Sequence, residues 1–170
     1  MQEPSSSPAG YAAFVAAIER RLMGYLTFVT SNPEDAEDLF QEVCFVLHAS
    51  WKEVSRMSRP DAWLFRVAHN RTVNRIKRRD AERRALTRRD PPGPRLAPNG
   101  EAEQGELTAA VEHAMAGLPV EQREALSLKI WGEGSWVEIG KTLGVSEDTA
   151  ARLFARGLNA LAPELRRFMP

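Results

Sequence analysis

The residues whose types and spacing point most directly to chemistry lie between Asn70 and Arg79, and that chemistry is binding. Arg71, Arg75, Arg78 and Arg79 recur at three- and four-residue steps, which places them along one side of a helix. Asn70 and Asn74, four apart, share a face near those cations. Guanidinium groups position phosphates and carboxamides bond base edges, so the combination suits a helix that reads nucleic acid. A solvated basic face is the competing use of the same residues.

Two further sets have the right types for recognition. Asp35, Asp38, Gln41 and Glu42, with Phe45 among them, form an acidic and amide face beside an aromatic, suited to docking on a basic partner helix or else to solvent. Near the other end, Ser146, Glu147, Thr149, Ala150, Arg152 and Arg156 follow a glycine turn, and Arg152 and Arg156 lie one helical turn apart. No phosphate-cradling glycine loop, nucleophile with a base partner or metal-ligand cluster is present. Cys44 and His48 supply two ligands at most, and His69 and His113 are uncommitted. The expectation is a binding protein with no catalytic activity, no metal and no cofactor.

These sets need helices to carry them. Residues 1–10, rich in Ser and Pro, read as a frayed terminus. From Tyr11 to Val29, Tyr11, Phe14, Val15, Ile18, Leu22, Tyr25, Leu26 and Val29 keep helical spacing, the pattern of a scaffold helix. Asn32 then looks like an N-cap before Pro33 and the acids Glu34 and Asp35, which the helix dipole favours. In that second helix Ala36, Leu39, Phe40, Val43 and Leu47 form the stripe for burial. Ala49 to Arg59 has weak periodicity and reads as a loop or short helix, with Trp51 and Met57 free to cover the core or contact a base. Pro60 opens a helix uninterrupted to Arg84, whose Trp63, Leu64, Val67 and Ala68 face a core before the basic run begins.

Arg88 to Gly105 holds four prolines and three glycines, a composition that forbids helix or strand and marks a linker. With the Pro-rich part extended, the halves on either side need not touch. The second half reads as four helices: Thr108 to Ala116, then one opened by Pro119 with Ala125, Leu126 and Ile130 for the core, then Ser135 to Leu143. The last is capped by Ser146, with Leu153, Phe154, Leu158 and Leu161 inward. Ser135 and Glu138 have capping-box spacing, and Gly140 permits close crossing before the Gly144 turn. That is the sequence form of a helix-turn-helix.

Charge supports a division of tasks. The 170 residues have zero formal net charge. From Tyr11 to Arg89, however, 15 Lys and Arg stand against 10 Asp and Glu, and from Glu106 to Arg167, 7 stand against 9. No apolar run approaches the roughly 20 residues that span a bilayer, and the start lacks the order of a signal peptide, so the expectation is a cytoplasmic protein without membrane insertion. The single cysteine, Cys44, allows no internal disulfide.

Together the blocks at Asp35–His48, Trp63–Arg79 and Leu118–Gly140, and the Ser-x-x-Thr start of the last helix, resemble the extracytoplasmic-function sigma factors of bacterial RNA polymerase. The resemblance implies an all-α fold of two small helical domains on a flexible linker: residues 11–87 like sigma region 2, a linker at 88–105, and residues 106–170 like region 4. It implies that Asp35, Asp38, Leu39, Gln41 and Glu42 dock on the clamp helices of the polymerase beta-prime subunit. Trp63, Arg66, Asn70, Arg71, Asn74 and Arg75, continued by Arg78 and Arg79, would engage the minus-ten promoter element, and the loop before them would capture a base from melted DNA. The helix-turn-helix would read the minus-thirty-five element, with the beta flap as a further polymerase contact. Core RNA polymerase and promoter DNA are thus the implied partners, with an anti-sigma factor as regulator. Where family members carry Thr-Val-Lys-x-Arg, this chain has Thr149 followed by Ala150, Ala151, Arg152 and Leu153, which implies weaker or altered minus-thirty-five contact. Two other classes fit the residues alone: a DNA-binding regulator independent of polymerase, and a helical interaction protein that binds no nucleic acid.

Overall fold

The computed structural model of the chain describes residues 7–86, 110–111, 113–115 and 117–166, and among them there is no strand. Helix α1 (Pro8–Thr30) is capped by Ser7, whose side chain accepts from the Gly10 N–H at 3.1 Å. The helix thus begins inside the stretch expected to fray; residues 1–6 of that stretch lie outside the described residues. It ends where Ser31 turns left-handed at φ 51° and returns its N–H to the Thr27 carbonyl. The stripe Ile18, Leu22, Tyr25, Leu26 and Val29 is buried, as helical spacing requires.

Helix α2 (Pro33–Val54) starts at the expected cap, with Asn32 Oδ1 accepting from the Asp35 N–H at 3.1 Å. It buries Ala36, Leu39, Val43, Leu47 and Val54. The helix runs on through Ala49 to Val54, so of the stretch expected as a loop or short helix only residues 55–59 are non-helical. Tertiary packing supplies what local periodicity lacked: the Trp51 ring lies 5.4 Å from Phe14 and 5.6 Å from Tyr11, and its indole N–H donates to the Ser7 carbonyl. Helix α3 (Pro60–Leu86) packs by Leu64, Phe65 and Ala68, with Phe65 edge-on to Tyr25 at 5.5 Å.

The second half contributes α4 (Val120–Ile130), α5 (Trp136–Leu143) and α6 (Glu147–Arg166), preceded by helical residues at 110–111 and 113–115. The expected start of that preceding helix at Thr108, and the whole 88–105 linker, lie outside the described residues. Both halves of the Ser135–Glu138 capping box are formed. Gly144 closes α5 at φ 70°, and a Cβ at Gly140 would sit 2.8 Å from the Val145 carbonyl oxygen, so the turn is built onto a residue without a side chain. Two expected core residues, Ile130 and Leu158, are exposed. Helices α4 and α6 cross at Gly157, where a Cβ would meet Leu126 at 2.7 Å; the inward face therefore carries Gly157 and Leu161 and turns Leu158 out.

The halves touch, a point that the linker composition left open. Trp131, at the end of α4, packs against α1, its ring 4.5 Å from Phe28, and a Cβ at Gly24 would overlap its indole. Arg21 Nε donates to the Trp131 carbonyl at 2.7 Å, and Arg123 Nη1 donates to Ser31 Oγ at 2.7 Å. Leu128, Ile139 and Ala150 join the core of the first half. The first helix is therefore more than scaffold: it is the seat of the second half.

Candidate polymerase and nucleic-acid interfaces

Helices α2 and α3 lie side by side so that the acidic face of one meets the basic face of the other. Arg75 is the hub, donating from Nη1 to Asp35 at 3.4 Å and Asp38 at 3.2 Å, and from Nη2 to Glu42 at 2.6 Å. Arg79 also pairs with Asp35, and Arg71 Nη1 lies 3.5 Å from Glu42. The basic partner helix that the acidic face called for is thus already present in the chain. Arg75 is only 15 % exposed, whereas Asp38 is 68 % exposed and offers an oxygen to an outside partner. Gln41 and Phe45 are exposed beside it. Leu39 is not available: it is buried beneath this face, because its place three residues after Ala36 and four before Val43 turns it into the core.

Of the α3 residues expected to meet DNA, Arg66, Asn70 and Asn74 are exposed, as is Arg78, which pairs with Glu82 at 3.8 Å on the same helix. Trp63 is half-buried against the core and lines a cleft. The structure therefore splits the expected cation row: Arg66 and Arg78 are accessible, while Arg75 is held by three carboxylates and Arg71 and Arg79 are shared with α2.

In the helix-turn-helix, Ser146 caps α6, accepting from the Thr149 N–H at 3.2 Å, and Thr149 Oγ1 accepts from Arg152 Nη2 at 3.2 Å. Ser146, Glu147, Arg152 and Arg156 are exposed. Ala150 is a correction: it is fully buried, because the turn at Gly140 draws the start of α6 onto α5, and it packs there instead of facing a groove.

Sequence reasoning missed a third cluster, at the joint before α3. A cleft of about 380 Å³ is lined on one side by Met57, Arg59, Trp63 and Arg66, and on the other by Glu138, Lys141 and Thr142 of α5. Arg59 binds Asp61 through two bonds of 3.0 and 3.1 Å and lies 3.4 Å from Glu138. The Ser135 backbone N–H, donating at 2.8 Å, is the main reason the Glu138 carboxyl is held below its usual range; the Ser135 hydroxyl and Arg59 add to it against partial burial. The two sides are far apart in sequence, and the one local signal was Gly24 inside an otherwise regular helix, the mark of a close approach. Among the described residues no three His, Cys, Asp or Glu side chains gather where they could hold a metal ion, and no helix is long and apolar enough to cross a membrane.

With this geometry in view, comparison with known proteins is informative on both halves. Residues 14–82 match the family model of Sigma-70 region 2, and residues 108–161 match that of Sigma-70, region 4. The ECF RNA polymerase sigma factor SigF of Caulobacter vibrioides is 30 % identical over 164 residues, covering 94 % of this chain and 87 % of the relative. The ECF RNA polymerase sigma factor SigW of Bacillus subtilis is 28 % identical over 145 residues, covering 79 % of this chain and 78 % of that relative. The fold also matches that of the sigma factor RpoE in its complex with the anti-sigma factor NepR from Bartonella quintana, with a TM-score of 0.74 at 20 % identity over 92 % of this chain and 97 % of that one. Two sigma regions in the right order, on a helix-turn-helix and a paired acidic and basic helix, leave one assignment: the chain belongs to the extracytoplasmic-function (ECF) RNA polymerase sigma factors.

Proposed function

We propose that this ECF sigma factor, which binds core RNA polymerase and directs promoter-specific transcription initiation, docks on the polymerase through Asp38, Gln41, Glu42 and Asp35 of α2. The same reading gives the minus-ten element to Trp63, Arg66, Asn70, Asn74 and Arg78 on α3, with Arg71, Arg75 and Arg79 recruited as the acidic face turns to polymerase. Ser146, Glu147, Arg152 and Arg156 take the minus-thirty-five element. Residues 11–87 and 106–170 are the two functional units, joined by 88–105, and the protein acts in the cytoplasm as an initiation factor without catalysis of its own.

The observation that carries this reading is the placement of exposed Asn70 and Asn74 on one rigid helix with Arg66 and Arg78, directly beside an acidic face whose Asp38 is open to solvent. The zero net charge and the acids at Glu147 and Asp148 argue that region 4 binds DNA weakly by itself and gains from tethering to polymerase. An anti-sigma factor covering both faces is a fitting regulator, as NepR is bound to the structural relative. The test is pull-down of core polymerase followed by run-off transcription on genomic fragments. Discrete start sites that need the protein support the reading; no polymerase capture and no transcript would refute it.

A further inference from the structure

We propose that the cleft between α3 and α5 is a binding site for a free nucleoside monophosphate, a ligand with one flat base and one phosphate. Met57, Trp63 and Arg66 line it from the first half of the chain, Glu138 and Lys141 from the second. Its volume of about 380 Å³ lies within the roughly 300–1,000 Å³ of small-molecule sites, toward the end that suits a ligand of this size.

Charge decides what the cleft can take. Arg59 is already answered, by two bonds to Asp61 and by Glu138 at 3.4 Å. The Glu138 carboxylate is answered in turn, by the Ser135 N–H at 2.8 Å and the Ser135 hydroxyl at 2.9 Å as well as by Arg59. Arg66 and Lys141 are left over: both are exposed, and among the described residues neither side chain enters an ion pair or a hydrogen bond. Two unanswered cations, one from each half, match a phosphate monoester, which carries nearly two negative charges at neutral pH. The exposed Ser58, also on the lining, adds a hydroxyl donor for the same oxygens. The apolar part of the lining suits the other end of such a ligand. Trp63 is half-buried and Met57 is 41 % exposed, and indole and thioether groups pack against base planes whatever the base. Lys141 belongs to neither promoter element and to no polymerase contact assigned above, so promoter reading leaves its place in this cleft without a purpose. Trp63 and Arg66 are shared with the minus-ten assignment. A bound nucleotide therefore competes with promoter DNA for them, a consequence that rests on the sigma reading, whereas the site itself does not.

Isothermal titration calorimetry of the full chain with adenosine monophosphate tests the proposal, with adenosine and inorganic phosphate as separate arms. The wild type should show one saturable site for the nucleotide and bind either fragment at least about tenfold more weakly, because the two ends of the ligand reinforce each other. Lys141→Gln removes an exposed cation and should keep the fold by circular dichroism while weakening nucleotide binding roughly tenfold, the loss expected for one charge-assisted contact. Lys77→Gln, at an exposed position on α3 that does not line the cleft, should leave the affinity unchanged. Absence of saturable nucleotide binding, or phosphate binding as tightly as the nucleotide, would overturn the proposal on the wild type alone. So would equal affinity of the wild type and Lys141→Gln, or equal weakening by the two lysine variants, the mark of diffuse attraction to surface charge. Run-off transcription keeps the two readings apart. Nucleotide binding by a protein that supports no transcription refutes the sigma reading and leaves the site standing; transcription by a protein that binds no nucleotide does the reverse.

Discussion

Arg75 Nη2 donates to Glu42 Oε1 at 2.6 Å, so the centre of the basic helix is bound to the centre of the acidic one. Asp35 and Asp38 take the other Arg75 nitrogen, and the group is 15 % exposed. Removing it takes the cation from Asp38 and leaves Asp35 to Arg79 and Glu42 to Arg71. Arg75→Ala should lower the unfolding free energy by about 1–3 kcal/mol, the range for losing charge-assisted hydrogen bonds. Arg78→Ala, at an exposed site, should stay within about 0.5 kcal/mol of wild type. Urea denaturation of the two variants checks both, and a neutral Arg75→Ala would show the pair to be merely superficial.

The helix-turn-helix turn gives a second test. Alanine at Gly140 would improve helix propensity but place its Cβ 2.8 Å from the Val145 carbonyl oxygen and 3.2 Å from the Glu147 nitrogen, both backbone atoms that cannot swing away. Crowding outweighs propensity, and Gly140→Ala should destabilise by about 1–3 kcal/mol. Thermal melting followed by circular dichroism is the readout; a higher melting temperature would mean that the turn relaxes freely.

Glu138 predicts a dependence on acid. Its folded carboxyl titrates below its ordinary value of 4.5 because the Ser135 N–H and Arg59 favour the charged form. The stability this confers is present above the unfolded value and is lost as pH falls through the folded one. Urea midpoints measured at pH 7 and near pH 4 should therefore fall further for wild type than for Glu138→Gln. An equal fall in both proteins would place the acid sensitivity elsewhere.

Asn70 and Asn74 carry the specificity prediction. Each is exposed and can form a two-point contact with a base edge, worth about 1–3 kcal/mol of discrimination. Alanine at both should change which promoters are used in run-off assays while polymerase binding persists. Loss of polymerase binding would return these residues to a structural role.

Much of this architecture was legible in the sequence because it is written locally. The Asn32 cap, the Ser135–Glu138 box and the Gly144 turn each occupy a few consecutive residues, and the stripes of α1 and α2 repeat within one element. What escaped is non-local. The Trp51 contacts that extend α2 come from the first helix, the carboxylates that hold Arg75 lie about ten turns away along the chain, and Trp131 meets Gly24 across the whole length of the linker. Ala150 was misjudged for a related reason: its residue type fits a surface block, but the face that buries it is set by helices that local spacing does not see. Leu39 differs, since local spacing already placed it in the buried stripe and the resemblance alone implied that it docks.

The most direct test of the account is the affinity of core RNA polymerase for the wild-type protein and for Asp38→Lys. Asp38 is the open corner of the acidic face, and reversing it leaves Arg75 with Asp35 and Glu42, so the fold should persist by circular dichroism. The account predicts tight capture by wild type and binding at least about tenfold weaker by Asp38→Lys, with the loss diminishing at high salt. Equal affinity of the two proteins for polymerase would contradict it.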